Sequence, residues 1–390
     1  MVGRALPRTV VVLGLVSLLN DAASEMITPL LPIFLTATLG AGPAIVGLVE
    51  GLAEATASVL KLVSGRLADR GIPAKTLVVG GYGLSNGLRP LIGAVAGWGA
   101  VLVLRFLDRV GKGLRTAPRD ALIAGSTGPA QRGRAFGFHR SMDHAGSVIG
   151  PLIAFGLLSA QVELRHVFYA SVVPGVLVML LLLWGVPAGR RFAMAPAPAF
   201  SFRALHGRLK AMIVAAGLLA LASVPEVFVV LWATQAGMAV HWVPLVWAAA
   251  SVAKMLIAMP AGVLSDRVGR VPLVAGGWSL RVIVLMLLAT MSPGLAGTWA
   301  LFIAYSATLA VTEPAERSLI GDHSAENERG TAFGLYHLAS GLLVLPGGVL
   351  FGVLWQSFGS HAAFAAAAAV TLLAALLMLW LAVRAVPADG

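Results

Sequence analysis

Long apolar runs alternate with short polar breaks along the whole chain. Runs of about 20 residues match the hydrocarbon core of a bilayer when coiled as α-helix. Twelve can be counted, over 10–36, 43–64, 75–95, 98–118, 134–160, 166–186, 211–236, 243–263, 272–292, 296–316, 330–356 and 361–384. The longest polar stretch, 187–210, carries Arg190, Arg191, Arg203, His206, Arg208 and Lys210 among alanines and prolines, near the middle of the chain. The pattern predicts an all-α membrane protein with a six-helix bundle over 1–186, a linker over 187–210 and a second six-helix bundle over 211–390. Twelve spans take about 240 residues, which leaves short loops and no large soluble domain.

Composition sharpens this picture. Of 390 residues, 58% are hydrophobic and 12% charged, against about 25% charged in a soluble domain. The absence of cysteine excludes thiolate metal sites and cysteine nucleophiles. A net charge of +11 in a soluble chain would suggest a nucleic-acid partner, but here the bases gather in alternate loops. One set holds Arg4 and Arg8; Arg66, Arg70 and Lys75; the segment from Arg109 to Arg134; the central linker; Arg267 and Arg270; and Arg317 and Arg329. The intervening loops at 40–44, 97–99, 235–241, 291–297 and 359–361 are nearly free of charge, and Glu163 and Arg165 are the exceptions. The positive-inside rule places both termini and the linker in the cytoplasm of an inner-membrane protein. The first apolar run is too long for a cleavable signal peptide.

The two halves repeat at an offset of 197. Gly65, Leu67, Asp69 and Arg70 match Gly262, Leu264, Asp266 and Arg267, and the segment Arg132–Gly137 matches Arg329–Gly334. The segment Leu77–Tyr82 matches Leu273–Trp278 at an offset of 196. Two parallel halves of this kind suit a transporter that rocks them about a central cavity.

These motifs resemble those of the major facilitator superfamily, over the whole chain. The pattern around Asp69 and its better-kept copy around Asp266 resemble the family's loop signature. Arg105, followed by Asp108 and Arg109, is similar to its fourth-span pattern. Gly137, Gly146, Gly150 and Pro151 in span 5 are similar to its antiporter signature, with Ala154 and Phe155 standing where Gly-Gly is usual. The resemblance implies a monomeric secondary transporter. It implies a cytoplasmic gate built from Gly65, Asp69, Arg70, Gly262, Asp266 and Arg267. The charged segment Asp108–Asp120 suits the same gate better than direct substrate contact, which adds Asp108, Arg109, Arg115, Arg119 and Asp120. Span 5 associates the chain with exporters. Its small residues also admit a plain reading, close helix packing with a bend at Pro151.

Ionisable groups at helix centres cost at least about 2.5–3.5 kcal/mol each on insertion scales and usually serve a cavity, a partner or a proton path. Asp21 and Glu25 lie four apart on one face of span 1. Close carboxylates in a low-dielectric medium resist simultaneous ionisation, so one can carry a proton. Asp21 and Glu25, with Glu54 or Asp143, are therefore the expected proton-coupling group. The alternative is fixed pairing with Arg105 or Arg140. Arg105, Arg140, His144, Glu226, Lys254 and Arg281 are the candidate substrate ligands. A metal at His139, Asp143 and His144 is disfavoured, because the two histidines lack metal-ligand spacing.

The expected function is proton-coupled movement of a small organic solute across the membrane, in the export direction. Import of an anionic metabolite or metal chelate, and a non-transporting receptor or scaffold, are the alternatives. No cofactor is expected and no enzyme: the chain lacks HExxH, GxSxG and P-loop strings.

Overall fold

A computed structural model describes residues 6–69, 72–128, 131–186, 207–322 and 329–383, with no strand among them. Span 1 comprises α1 (Arg8–Glu25), a turn, the short α2 (Leu31–Ile33) and a π-helical stretch, Phe34–Thr38. Span 2 is α3 (Pro43–Asp69). Span 3 is α4 (Ala74–Leu88) with a 3₁₀ turn at Pro90–Ala94. Span 4 is α5 (Trp98–Gly125), and span 5 is α6 (Arg132–Ser159). Span 6 comprises α7 (Leu164–Ala170) and α8 (Val172–Gly185); span 7 comprises α9 (Gly207–Ala222) and α10 (Glu226–Gln235). Spans 8, 9 and 10 are α11 (Val243–Val268), α12 (Arg270–Thr290) and α13 (Leu295–Asp322). Spans 11 and 12 run together as α14 (Arg329–Val383).

Proline explains several of the breaks. Pro29 and Pro32 offer no N–H to the preceding turn, and span 1 loses its α-helix there. Pro225 caps α10 and separates it from α9. Pro118, Pro151, Pro260 and Pro346 instead lie inside helices, as neighbouring membrane helices permit. Among the described residues, eight stretches are long and apolar enough to cross a bilayer. The last, Leu338–Trp380, has 43 residues. At about 65 Å it is twice the bilayer core, and Gly359, at φ 86°, divides it. α1 and α4 stop early at their breaks and α5 is rich in charge; these three complete the twelve.

Several helices run further than the apolar pattern predicts. α3 continues to Asp69, α5 to Gly125 and α11 to Val268. The signature residues expected in loops thus lie on the last turns of α3 and α11. The turn after α11 falls at Gly269, whose φ of 92° is open to glycine and strained for other residues. Asp108 lies inside α5, ten residues or about 15 Å from its start, and not in the helix's last turns. Charge shortened the apolar run but did not stop the helix, because its charged side chains find partners in the bundle. Of the linker expected over 187–210, residues 187–206 lie outside the described residues and 207–210 open α9.

The chain forms two compact units. The first contains Met1–Phe34, Thr56–Pro196 and His241–Ala248; the second contains Leu35–Ala55, Ala197–Val240 and Ala249–Gly390. In the first, α1 packs on α6 and α8, and α4 on α5 and α8. Leu13, Val16, Val78, Tyr82, Ile123 and Leu182 fill the space between. In the second, α9 and α12 pack on α14, and α12 also on α13. Its core includes Leu219, Val274, Trp278, Tyr336 and Met378, with a separate ring cluster of Phe228, Phe351, Trp355 and Phe364.

Candidate functional site

In the first unit a polar path crosses four helices. On α1, Ser17, Asn20 and Asp21 share one face by their three- and four-residue spacing. Facing them on α6 is Asp143, whose carboxylate accepts a hydrogen bond from the Ser17 hydroxyl. His139 Nδ1 and Arg140 Nη1 lie 3.6 Å and 3.5 Å from Asp143. α1 and α6 come this close because Gly146 and Gly150 sit against the α1 backbone, Gly146 at Leu18 and Asp21, Gly150 at Ala22. A side chain at either would push the helices apart.

The path continues through Asn20. Its Nδ2 donates to Asp21 at 3.0 Å. Its side-chain oxygen accepts from Arg89 Nη1 at 3.0 Å and from Asn86 Nδ2 at 3.3 Å. Arg89 Nε then pairs with Asp108 Oδ1 at 3.1 Å, with side-chain exposures of 2% and 1%. Arg105 and Arg109 approach the other Asp108 oxygen at 3.6 Å and 3.9 Å. Ser85 holds the same region: its hydroxyl donates to the Asp108 carbonyl at 2.9 Å and accepts from Arg115 Nη1 at 2.7 Å. The Arg115 guanidinium also lies 4.4 Å from the centre of the Tyr82 ring. Buried charges that converge on one another avoid the cost of isolation, so Asp108 ties α4 to α5.

Glu25 closes α1. Its carboxylate accepts a hydrogen bond from the indole N–H of Trp247, at 2.9 Å. The first unit thus brings Asp21 and Asp143 into one helix interface, with Glu25 one turn further along α1. Glu54 is a half-buried residue of α3 in the second unit. His144 is exposed on α6. Arg119 pairs with its neighbour Asp120 at 3.0 Å. Among the described residues Gly137 has no neighbour within contact distance of a side chain there, and Pro151 is buried within α6. Among the described residues no group of three or more His, Asp or Glu could hold a metal ion.

The second unit builds a different cluster. Glu226, the first residue of α10, receives Lys254 Nζ on both oxygens, at 3.0 Å and 2.9 Å, and the Ser306 hydroxyl at 2.5 Å. Tyr305 donates to the carbonyl of Val224 in the break between α9 and α10. Arg281, on α12, donates to the Thr308 carbonyl at 3.3 Å and the Thr312 hydroxyl at 3.2 Å. Further along the helices, Glu316 accepts from Trp278 Nε1 at 2.7 Å and from the Tyr336 hydroxyl at 3.2 Å. Of the expected gate residues, Arg267 is exposed, Gly262 is half-buried and accepts from Ser265, and Asp266 lies 3.7 Å from Arg270. The side chains of Gly65 and Asp69, and all of Arg70, lie outside the described residues.

Sequence reasoning passed over Arg89, Asn20, Asn86 and Tyr305. Arg89 was detectable as a base within the run 75–95. The two asparagines and the tyrosine carry no charge at neutral pH, so a search for ionisable groups gives no signal for them.

Twelve spans, several of them broken into shorter helices, make up a multi-pass membrane protein with charged clusters inside both units. The family profile of the Major Facilitator Superfamily matches residues 13–253 and 227–390. An uncharacterized MFS-type transporter of Methanocaldococcus jannaschii is 30% identical over 367 residues, covering 90% of each chain. The chain belongs to the major facilitator superfamily. Multidrug resistance protein MdtH of Aeromonas hydrophila is 33% identical over 152 residues, 39% of this chain and 38% of its own. In fold, the crystal structure of a point mutant of the nucleoside transporter NupG superposes with a TM-score of 0.81 at 12% identity, over 96% of this chain and 99% of that one.

Proposed function

We propose that the protein exports a small organic solute in exchange for protons, as a monomeric secondary transporter of the inner membrane with cytoplasmic termini. Alternating access of two six-helix halves, divided at 187–210, would carry the cycle. The observation that carries this reading is the meeting of Asp21 and Asp143 at the α1–α6 interface. Two acids there can exchange a proton for cargo-driven rearrangement of one helix pair, and Asn20 links Asp21 to the Arg89–Asp108 pair. Glu25 and Glu54 are the further carboxylates of this function. The partial likeness to a multidrug resistance protein, and the small residues of span 5, support export. The residues on the last turns of α3 and α11, with Asp108, Arg109, Arg115, Arg119 and Asp120, are assigned to the cytoplasmic gate. Arg105, Arg140, His144, Glu226, Lys254 and Arg281 are assigned to cargo. Proton-linked import of an anionic metabolite or metal chelate is the second reading, favoured by the bases Lys254 and Arg281.

The test compares metabolites inside and outside cells that make the wild type or an Asp21→Asn, Asp143→Asn variant, with and without a protonophore. The expected result is a compound enriched in the medium only for the wild type and only with a proton gradient. Enrichment inside the cells under the same controls makes the protein an importer. Undiminished concentrative transport by the variant removes the coupling role of these acids.

A further inference from the structure

Arg281 is only 4% exposed. It lies nine residues from the end of α12, about 14 Å along the helix. Its hydrogen bonds go to a carbonyl and a hydroxyl of α13, and its Nε has no acceptor among the described residues. No carboxylate lies within ion-pair distance of it among those residues. Buried guanidinium groups are normally paired. In the first unit Arg89, Arg105 and Arg109 gather on Asp108. Arg115, as buried as Arg281, likewise bonds to a hydroxyl, but it feels the charges of Asp108 and Asp21.

One layer away, Lys254 and Glu226 form an ion pair whose side chains remain 30% and 17% exposed. Tyr305 lies between the two groups, close enough to feel the charges of both Arg281 and Glu226. Lys254 and Ser306 each lie eleven residues into their helices, α11 and α13. This places the pair near mid-depth, about 17 Å along each helix. Lys254 and Arg281 are thus two bases in the layers around Glu226, and Glu316, which accepts from Trp278 one turn from Arg281, is an acid further along α13. Glu50 and Glu54, half-buried on α3, are further acids of the unit.

We propose that Lys254 is the ligand for an acidic group of the cargo, with Glu226 as the built-in counter-ion that gives it up. The unbalanced charge of Arg281 behind the pair then makes the cargo an organic anion. A carboxylate or phosphate arriving on the exposed side takes the Lys254 ammonium. Glu226 keeps its bond to the Ser306 hydroxyl and so is not left without a donor. A cation would have to displace Lys254 from Glu226 beside a second positive charge, which is unfavourable at low dielectric. The inference rests on the transport reading for the word cargo, but it is independent of direction and of proton coupling.

The test uses purified full-length protein in detergent, with no membrane and no gradient, so that failure of proton-coupled export would leave it untouched. Thermal unfolding is followed with benzoate, phenyl phosphate, benzylammonium and benzyl alcohol, which share a ring and differ in charge. The expected result is a saturable rise in midpoint with one or both anions and none with the cation or the alcohol. Removing the competitor by Glu226→Gln lowers the half-saturating anion concentration about tenfold or more. Lys254→Gln abolishes the rise. Because that variant leaves Glu226 without its cation, the neutral double variant Lys254→Gln, Glu226→Gln is the folded control and shows no anion effect. A rise with benzylammonium instead, a rise with anions that persists in the double variant, weaker anion binding in Glu226→Gln, or no response to either anion overturns the proposal.

Discussion

Two helix pairs related by the internal repeat solve the same packing problem with exchanged side chains. In the first unit, Arg115 on α5 donates to Ser85 on α4. The residues at the matching positions, offset by 197 and 196, are Thr312 on α13 and Arg281 on α12. There the arginine has moved to the other helix and donates to the threonine hydroxyl. The arginine–hydroxyl bond recurs while its direction reverses, so it belongs to helix pairing. Two turns further along, the likeness ends. Asp108 and Arg109 match Tyr305 and Ser306, and Arg105 matches Phe302. The arginine cluster around a buried acid is therefore particular to the first unit. In the second unit the same depth is given to Glu226, Lys254 and Arg281. A difference imposed on a common scaffold points to function more directly than either cluster alone.

The largest expected effect tests that asymmetry. Asp108→Asn leaves Arg89, Arg105 and Arg109 buried without their acid, and breaking a buried pair in this way costs about 3–5 kcal/mol. Tyr305→Phe, at the matching position, removes one bond to the Val224 carbonyl and costs about 1 kcal/mol. Unfolding midpoints of the two purified variants decide the matter. Equal losses would mean that Asp108 is no hub and that the two units differ in name only.

How far such contrasts can be read without a structure depends on range. The helices were legible because each needs only a local run of apolar residues. The repeat was legible because motifs kept their spacing. The π-helical end of span 1 and the merged run of α14 had no local signature beyond proline and glycine. The acids Asp21 and Asp143 were legible as charges in apolar runs, but their meeting was not. That depends on how α1 and α6 are rotated, set by Gly146 and Gly150 against the α1 backbone. Arg89 illustrates the limit best. Its partners Asn20 and Asp108 lie 69 and 19 residues away, and nothing in the intervening sequence selects Asp108 over Asp21 as its counter-ion.

A smaller effect tests what the units share. Gly150 and Gly347 are repeat partners. The first lies against the carbonyl of Ala22 on α1, the second against that of Leu221 on α9. A methyl group at either meets backbone, which cannot move aside as a side chain can. Gly150→Ala and Gly347→Ala should each cost about 1–3 kcal/mol, the usual range for overpacking. Gly137→Ala, on the same helix as Gly150 but with open space beside it, should change stability by less than that and in the stabilising direction, since alanine favours helix by about 1 kcal/mol over glycine. A loss at Gly347 much smaller than at Gly150 would show that close approach matters in the first unit alone. The span-5 glycine would then serve a close approach that the second unit does not need.

The smallest effect bears on the exchanged bond itself. In the second unit, Arg281→Ser with Thr312→Arg recreates the arrangement of the first: arginine on the second helix of the pair, hydroxyl on the first. Each single change is unfavourable for its own reason. Arg281→Ser leaves the Thr312 hydroxyl without its donor, and Thr312→Arg sets a second guanidinium beside Arg281. The double variant restores one arginine and one hydroxyl. Its stability should exceed the sum of the single changes by at least about 1 kcal/mol, the scale of coupling between residues in direct contact. It also keeps the net charge of the cluster, so anion binding at Lys254 should survive the exchange while failing in Arg281→Ser alone. If the double variant is no better than the sum, the reversal of donor and acceptor is an accident of two unrelated contacts. If stability returns but anion binding does not, the position of the guanidinium on α12, and not its charge alone, is what the second unit requires.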